Sequence, residues 1–247
     1  MSDPGKGEAL ILAAGRGERM RPLTDACPKP LLKVRGKPLI EWHLEALARA
    51  GIGRVVINTA WLEAQIPAAI GDGSRWGLAI DYSMEGRDHG GALETAGGIA
   101  KALPLLRETF WLVSADIHAP DFVYDPQAAQ RFARTNLLAH LWLVPNPGFH
   151  AKGDFGIGAD GYGLADGPGP DGSTWTYANL ALVRAELCAA IPVGQKVALG
   201  PRLYAGMREH RITVERFGGE WHNLGTPAQL AALQQTACRE LPRHGGS

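Results

Sequence analysis

Residues 8–24 read Glu8-Ala-Leu-Ile-Leu-Ala-Ala-Gly15-Arg-Gly17-Glu-Arg19-Met-Arg-Pro-Leu-Thr24, and Pro28-Lys29-Pro30 follows close behind. Ala9 to Ala14 is an apolar run of strand length bounded by glycine, which predicts a buried strand. The small residues after it let the backbone approach a ligand closely, and successive N–H groups there can form an anion nest. Arg16, Arg19, Arg21 and Lys29 place four cations beside that nest, and prolines at 22, 28 and 30 restrict the loop. Backbone donors for oxygens and cations for charge are what a triphosphate needs. Two commoner glycine loops are rejected. Gly15-x-Gly17 continues to Met20 rather than glycine, and the second predicted strand ends in Asn58 without the acid that holds a ribose. Gly167 to Thr174 has P-loop glycine spacing but carries Ser173 where lysine is required.

Outward from this loop, short apolar runs alternate with helical patterns. Pro38 to Ala50 predicts a helix, with Pro38 in its first turn, Leu39, Leu44 and Leu47 on one stripe, and Gly51 as the stop. Arg54 to Asn58, Leu78 to Tyr82 and Phe110 to Ser114 predict strands, while Leu62 to Ile70 and Glu94 to Leu105 predict helices. Such alternation implies an α/β fold, a mostly parallel sheet covered on both faces. Ligands in these sheets bind beyond the carboxyl ends of strands. The segments after Ala14, Asn58 and Ser114 are therefore the informative ones, and Asp116 stands in the last of them.

The second half is less regular. His140 to Val144 and Trp175 to Arg184 predict strands, and Leu199 to Met207 and Pro227 to Cys238 predict helices. Gly148 to Ser173 is rich in glycine and aspartate and reads as hairpins and loops within one domain, residues 8–240. Arg239 to Ser247 reads as a frayed tail.

The 247 residues suit one large domain. Lysine plus arginine (25) balances aspartate plus glutamate (25), which argues against general electrostatic nucleic-acid binding. A hydrophobic content of 45% excludes a largely disordered chain. Cys27, Cys188 and Cys238 are odd in number and far apart, so a reducing, cytoplasmic compartment is expected rather than a disulfide framework. Met1 to Glu8 lacks a basic segment followed by an apolar run, so no secretory signal is expected, and no apolar run is long enough to span a membrane.

The pattern Leu12-Ala-Ala-Gly15-x-Gly17-x-Arg19-Met20-x-Pro22-Leu23-Thr24 with Pro28-Lys29-Pro30 closely resembles the opening signature of the sugar-1-phosphate nucleotidyltransferases. The resemblance implies a Rossmann-like α/β/α sandwich with a mostly parallel mixed sheet. It also implies joining of a nucleoside triphosphate to a sugar 1-phosphate with release of pyrophosphate. Glu18 departs from the threonine common in that signature. By resemblance, Ala13, Ala14, Gly15, Gly17 and Arg19 line the nucleotide phosphates and Lys29 lies between the reacting phosphates. Leu93-Glu94-Thr95-Ala96-Gly97-Gly98 is similar to the family's base-binding stretch. In so short a chain its form is most similar to the N-acetylmuramate 1-phosphate uridylyltransferase branch, which serves cell-wall recycling and uses UTP. Thr95 and Gly97 are thereby assigned to the nucleotide and Glu94 to the sugar.

An acid at a strand tip beside a phosphate loop suits Mg²⁺, which takes oxygen ligands and substrate phosphates. Asp116 fills that position, and by resemblance Ser114-Ala115-Asp116 supplies the first metal carboxylate. Trp221-His222-Asn223-Leu224-Gly225-Thr226-Pro227 resembles the family's late motif, with Asn223 in place of its aspartate; an amide oxygen ligates Mg²⁺ but brings no charge. Thr226-Pro227 also reads as a helix cap and first residue. Asp154, Phe155 and Asn179 are the expected sugar contacts, Asp88 to Gly91 reads as a mobile loop, and His43 on its helix reads as structural. Arg19, Lys29 and Asp116 are the expected catalytic set. Mannose 1-phosphate with GTP and glucose 1-phosphate with dTTP remain alternative substrate pairs. A non-catalytic nucleotide-sugar sensor is the reading of another class: Asn223 favours it, and the joint presence of Arg19, Lys29 and Asp116 opposes it.

Overall fold

The computed structural model describes residues 7–239. The opening run forms β1 (Glu8–Leu12), ending before Ala13 and Ala14, which leave the ladder to begin the loop. Successive side chains of a strand point to opposite faces. Ala9 and Ile11 join one apolar cluster and Leu10 the other, so β1 is buried on both sides. That is the environment of an interior strand in a sheet covered by helices.

Along the chain the main elements after β1 are α1 (Leu39–Arg49), β2 (Arg54–Thr59), α2 (Gln65–Ile70), β3 (Ala79–Met84), α3 (Glu85–His89), α4 (Glu94–Ala102), β4 (Thr109–Ser114), α5 (Pro126–Ala133), β5 (Ala139–Val144), β6 (Thr176–Arg184), α6 (Gly200–Arg208), β7 (Ile212–Arg216) and α7 (Pro227–Arg239). The strands form one sheet in the order β7-β5-β6-β4-β1-β2-β3. Only β6 in this sheet runs against its neighbours; the other ladders are parallel. Helices α1, α2 and α5 pack their apolar residues on one face, and α4 and α6 on the other. The result is a three-layer Rossmann-like sandwich.

Helix α1 shows why the layers hold. Leu39, Ile40, His43, Leu44 and Leu47 are buried, the spacing of a single helical face. Each buried leucine or isoleucine contributes roughly 1.5–3 kcal/mol of transfer free energy. The helix stops at Ala50, and Gly51 takes the left-handed conformation (φ +74°) that a side chain would resist.

Several boundaries differ from the sequence expectations. Leu62 to Ala64 form turns with Leu62 at φ +48°, and helix α2 starts only at Gln65. The stretch expected as a mobile loop holds the end of α3, with Asp88 ion-paired to Lys101 at 2.7 Å. Helix α5 is absent from those expectations, although its signals are present: Asp125 accepts bonds from the Gln127 and Ala128 amides, and Pro126 occupies the first turn. The glycine-rich stretch holds a small hairpin, Gly156–Ile157 with Gly163–Leu164, and its Tyr162 bridges to Thr213 of β7. The tail beyond Arg239 lies outside the described residues.

Candidate functional site

At the carboxyl ends of β1, β2 and β4 a cavity of about 370 Å³ opens, lined by Leu12 to Gly15, Gly17 to Arg19, Lys29, Asn58, Glu94, Thr95 and Ser114 to Asp116. It lies where the topology of an open parallel sheet leaves room for a ligand. Leu12 pairs with Asn58 on one side and Ser114 on the other, so three strand tips share one rim. The Ala115 amide donates to the Leu12 carbonyl at 2.9 Å and ties the turn carrying Asp116 to the start of the loop.

The loop is held by side chains the chain itself supplies. Gly17 sits at φ +67°, and a Cβ there would meet Thr24 Cγ2 at 3.1 Å. The Thr24 hydroxyl donates to the Gly17 carbonyl at 2.9 Å. Of the four expected cations, two face elsewhere. Arg16 bonds Asp25 at 2.8 Å and the Thr24 carbonyl at 2.9 Å, and lies 3.8 Å over the Trp61 ring. Arg21 bonds the same Asp25 oxygen at 2.9 Å. The two guanidiniums hold the Asp25 carboxyl below its ordinary range, chiefly through the Arg16 bond. They brace the loop: Asp25 stands within it, four residues after Arg21, and the sequence shows the cations but not that this one carboxylate claims both.

Arg19 and Lys29 are the cations on the cavity wall. Arg19 is exposed and makes no ion pair among the described residues. Lys29 follows Pro28 into a single helical turn, Lys29–Leu31, and its Nζ lies 2.8 Å from Asp116 Oδ2.

Asn223 reaches this region through a two-residue antiparallel ladder in which it pairs with Ile117 and His222 pairs with His118. The Leu224 amide donates to the Asp116 carbonyl at 3.0 Å. Asn223 Oδ1 is buried and has no hydrogen-bond partner among the described residues. A buried orphan acceptor is uncommon and calls for a partner. A carboxylate and an unclaimed amide oxygen, carried on adjoining segments, are the donors a hard divalent cation takes. Beyond them Thr226 caps α7 by accepting from the Gln229 amide at 3.3 Å, and Gln229 accepts from the Gly225 amide at 2.8 Å.

A second hollow of about 530 Å³ shares Arg19 and Thr95 with the first, and Asp154, Phe155, Tyr177, Asn179, Tyr204 and Asn223 also line it. Asn179, at φ +59°, sits where the β6–β5 register shifts between Tyr177 and Ala181. Bulges of this kind re-aim side chains next to sites. Asp154 accepts from the Tyr177 amide at 2.8 Å and pairs with His150 Nε2 at 2.9 Å. Phe155 is 3% exposed and meets Tyr204 edge-on at 5.3 Å, so it is core that forms the floor of the hollow rather than a free stacking ring.

Two residues stand apart from their expected groups. Glu94 lines the cavity of the phosphate loop, not the hollow with Asp154, Phe155 and Asn179. Gly97 is buried in α4 with its amide already given to the Val197 carbonyl at 3.1 Å. A Cβ on Gly97 would lie 2.2 Å from the Gln195 carbonyl oxygen, so that glycine is required by helix-to-loop packing. The Ala96 amide is given to the same Val197 carbonyl at 2.9 Å, so neither amide is left for a ligand. His43 is buried and structural as expected: its Nε2 donates to the Ile117 carbonyl at 2.7 Å and its Nδ1 accepts from the Tyr124 hydroxyl at 3.1 Å.

The nucleotidyl transferase family model matches residues 8–146. An N-acetylmuramate alpha-1-phosphate uridylyltransferase of Neisseria meningitidis serogroup B is 45% identical over 93% of this chain and 98% of its own length. A protein of the same name from Caulobacter vibrioides is 32% identical over 93% of this chain and 96% of its own. Among solved structures, a Bacillus anthracis chain in complex with a sucrose superposes with a TM-score of 0.76 over 97% of both chains, at 17% identity, and so speaks to the fold. No helix among the described residues is long and apolar enough to cross a membrane.

Proposed function

The chain belongs to the nucleotidyl transferase family, and from that premise we propose that it joins UTP to N-acetylmuramate 1-phosphate, giving UDP-N-acetylmuramate and pyrophosphate. The observation that carries this reading is the pairing of two confluent hollows around Arg19, with Lys29 and Asp116 on the wall of the first. The likeness over nearly the full length of two uridylyltransferases supports the choice of substrates. A role in reusing cell-wall sugars, in the cytoplasm where UTP is available, follows from that choice.

The chemistry needs no general base. The sugar phosphate oxygen is already anionic near neutral pH; it attacks the α-phosphorus in line as the bond to the pyrophosphate breaks. Catalysis is then alignment plus neutralisation of charge. Arg19 binds the triphosphate and stabilises the departing pyrophosphate. Ala14, Gly15 and Gly17 present backbone to the phosphates, while the Ala13 amide is given to Asn58 Oδ1 and Ala13 only lines the cavity. Lys29 offsets the repulsion between two closing anions. Thr95, with Glu94 beside it, borders the base, and Asp154 and Asn179 face the sugar. Asp116 and Asn223 would hold Mg²⁺, which when bound neutralises phosphate charge.

A pyrophosphate-release assay over a matrix of nucleoside triphosphates and sugar 1-phosphates, with Mg²⁺, tests the reading. UTP with N-acetylmuramate 1-phosphate is the expected best pair. GTP with mannose 1-phosphate, or dTTP with glucose 1-phosphate, as the fastest pair would reassign the substrates. Release from none would leave a nucleotide-sugar sensor.

A further inference from the structure

Beneath the first cavity, four buried groups form a hydrogen-bonded relay that runs from the phosphate loop to the loop before α4. The Ala13 amide donates to Asn58 Oδ1 at 2.7 Å. Asn58 Nδ2 donates to Glu85 Oε1 at 2.6 Å. The Leu93 amide donates to Glu85 Oε2 at 2.8 Å. Asn58 is 2% exposed, Glu85 0%, Ala13 3% and Leu93 1%. Ala13 opens the phosphate loop, and Leu93 immediately precedes Glu94 and Thr95 on the opposite wall of the cavity.

The relay has a fixed polarity. Both ends are backbone N–H donors, so Asn58 must turn its oxygen to Ala13 and its nitrogen toward Glu85. Glu85 must then accept on both oxygens, which an ionised carboxylate does and an amide does not. Desolvation raises the Glu85 pKa, opposed by the bonds from Leu93 and Asn58 and by Lys101. A carboxylate is costly to bury, and a backbone carbonyl could have accepted from Leu93 at less cost. Its particular property is that it satisfies two converging donors at once. Gly98 makes room for it: a Cβ there would lie 2.5 Å from Glu85 Oε1 and 2.7 Å from Asn58 Nδ2.

We infer that Glu85, acting through Asn58, is a positioning residue for the transfer reaction: it sets the spacing between the phosphate loop at Ala13 and the base-side loop at Leu93–Thr95. The inference rests on the nucleotidyl transfer proposed above. Glu85 touches no substrate; it holds the two walls between which a nucleoside triphosphate is gripped.

The donor–acceptor inventory supplies the test. In Glu85→Gln one end of the new amide is a donor, and it meets the Asn58 donor. Pairing it with Asn58→Asp restores the match. The new carboxylate at position 58 accepts both from the Ala13 amide and from the side-chain amide at position 85, whose oxygen accepts from Leu93. The full-length protein is compared as wild type, E85Q, and the N58D/E85Q pair, by pyrophosphate release with UTP and by thermal unfolding. E85Q is expected to lose at least about tenfold in kcat/KM for UTP, as misplaced binding walls do, while the KM for the sugar phosphate changes less than that for UTP. The paired variant is expected to return to within about threefold of wild type.

Wild type without activity on UTP would overturn the substrate reading. Wild-type activity together with an unimpaired E85Q would overturn the positioning role, as would a paired variant as poor as E85Q or equal KM changes for both substrates. If E85Q aggregates, the paired variant decides: near-normal kcat/KM upholds the inference, and a tenfold loss or a failure to fold overturns it.

Discussion

Lys29 Nζ lies 2.8 Å from Asp116 Oδ2, although the two are 87 positions apart in sequence. The Lys29 side chain is only 12% exposed, so its charge is held at one place on the cavity wall. In the structure that charge neutralises the very carboxylate proposed to hold a metal. Lys29→Ala should therefore remove a fixed cation from the reacting phosphates and also leave Asp116 without its partner. A loss of at least about a hundredfold in kcat is expected for Lys29→Ala and for Asp116→Asn, the scale of losing a charge stabiliser. Steady-state kinetics with saturating UTP checks both, and a near-normal rate would strike the residue from the catalytic set.

Asn223 carries an unpartnered, uncharged oxygen on the segment whose next amide, Leu224, is bonded to the Asp116 carbonyl. Asn223→Asp should lower the Mg²⁺ concentration for half-maximal activity by about tenfold, since ligand charge tunes affinity in oxygen sites. Asn223→Ala should raise it by a similar factor while stability stays close to wild type. Magnesium titrations of initial rate at fixed UTP read the effect. No change in either variant would show that Asn223 plays no part in metal binding.

Gly97→Ala is expected to destabilise the protein despite alanine's better helix propensity. The added methyl would lie 2.2 Å from the Gln195 carbonyl oxygen, and backbone cannot yield as a flexible side chain does. Overpacking costs about 1–3 kcal/mol, against a propensity gain of roughly 1 kcal/mol. Urea unfolding would show a lower midpoint.

Burial lowers the His43 pKa from 6.5 to about 4, partly offset by its bond to the Ile117 carbonyl and by Asp116. Between those two values the unfolded chain takes up a proton that the folded chain refuses. Stability is therefore retained above pH 6.5 and falls as pH drops through the window, at up to about 1.4 kcal/mol per pH unit. From pH 7 to pH 5 the loss from this one group is about 2 kcal/mol. The fall in unfolding free energy between pH 7 and pH 5 should be smaller in His43→Gln than in wild type by about that amount.

Strand ends are legible to within two residues because apolar runs stop close to where strands stop. The runs end at Ala14, Asn58 and Ser114 and the strands at Leu12, Thr59 and Ser114, which is close enough to put Asp116 just beyond a strand tip. Glycines and cations are less legible, since a sequence shows what a residue offers but not who claims it. Arg16 and Arg21 offer charge to a phosphate loop, yet Asp25 takes both. Gly97 offers an amide, yet Val197 takes it. Helix α5 escapes a reading by pattern because its face is short, with Phe132 as its buried residue, although its cap is plainly written at Asp125-Pro126. Glu85 draws no notice because nothing local marks a glutamate as buried; its partners come from residues 58 and 93, and only the folded chain brings them together.

Arg19 and Thr95 belong to the walls of both hollows. On the proposed placement of triphosphate and sugar, one synthetic molecule that tethers a polyanionic tail to a pyranose mimic would pass from one hollow to the other at these two residues. Its second half would dock at the high effective concentration that a short tether confers. An inhibitor built on this plan should outcompete either fragment used separately, and lengthening the tether beyond the width of that shared pair should erode its advantage.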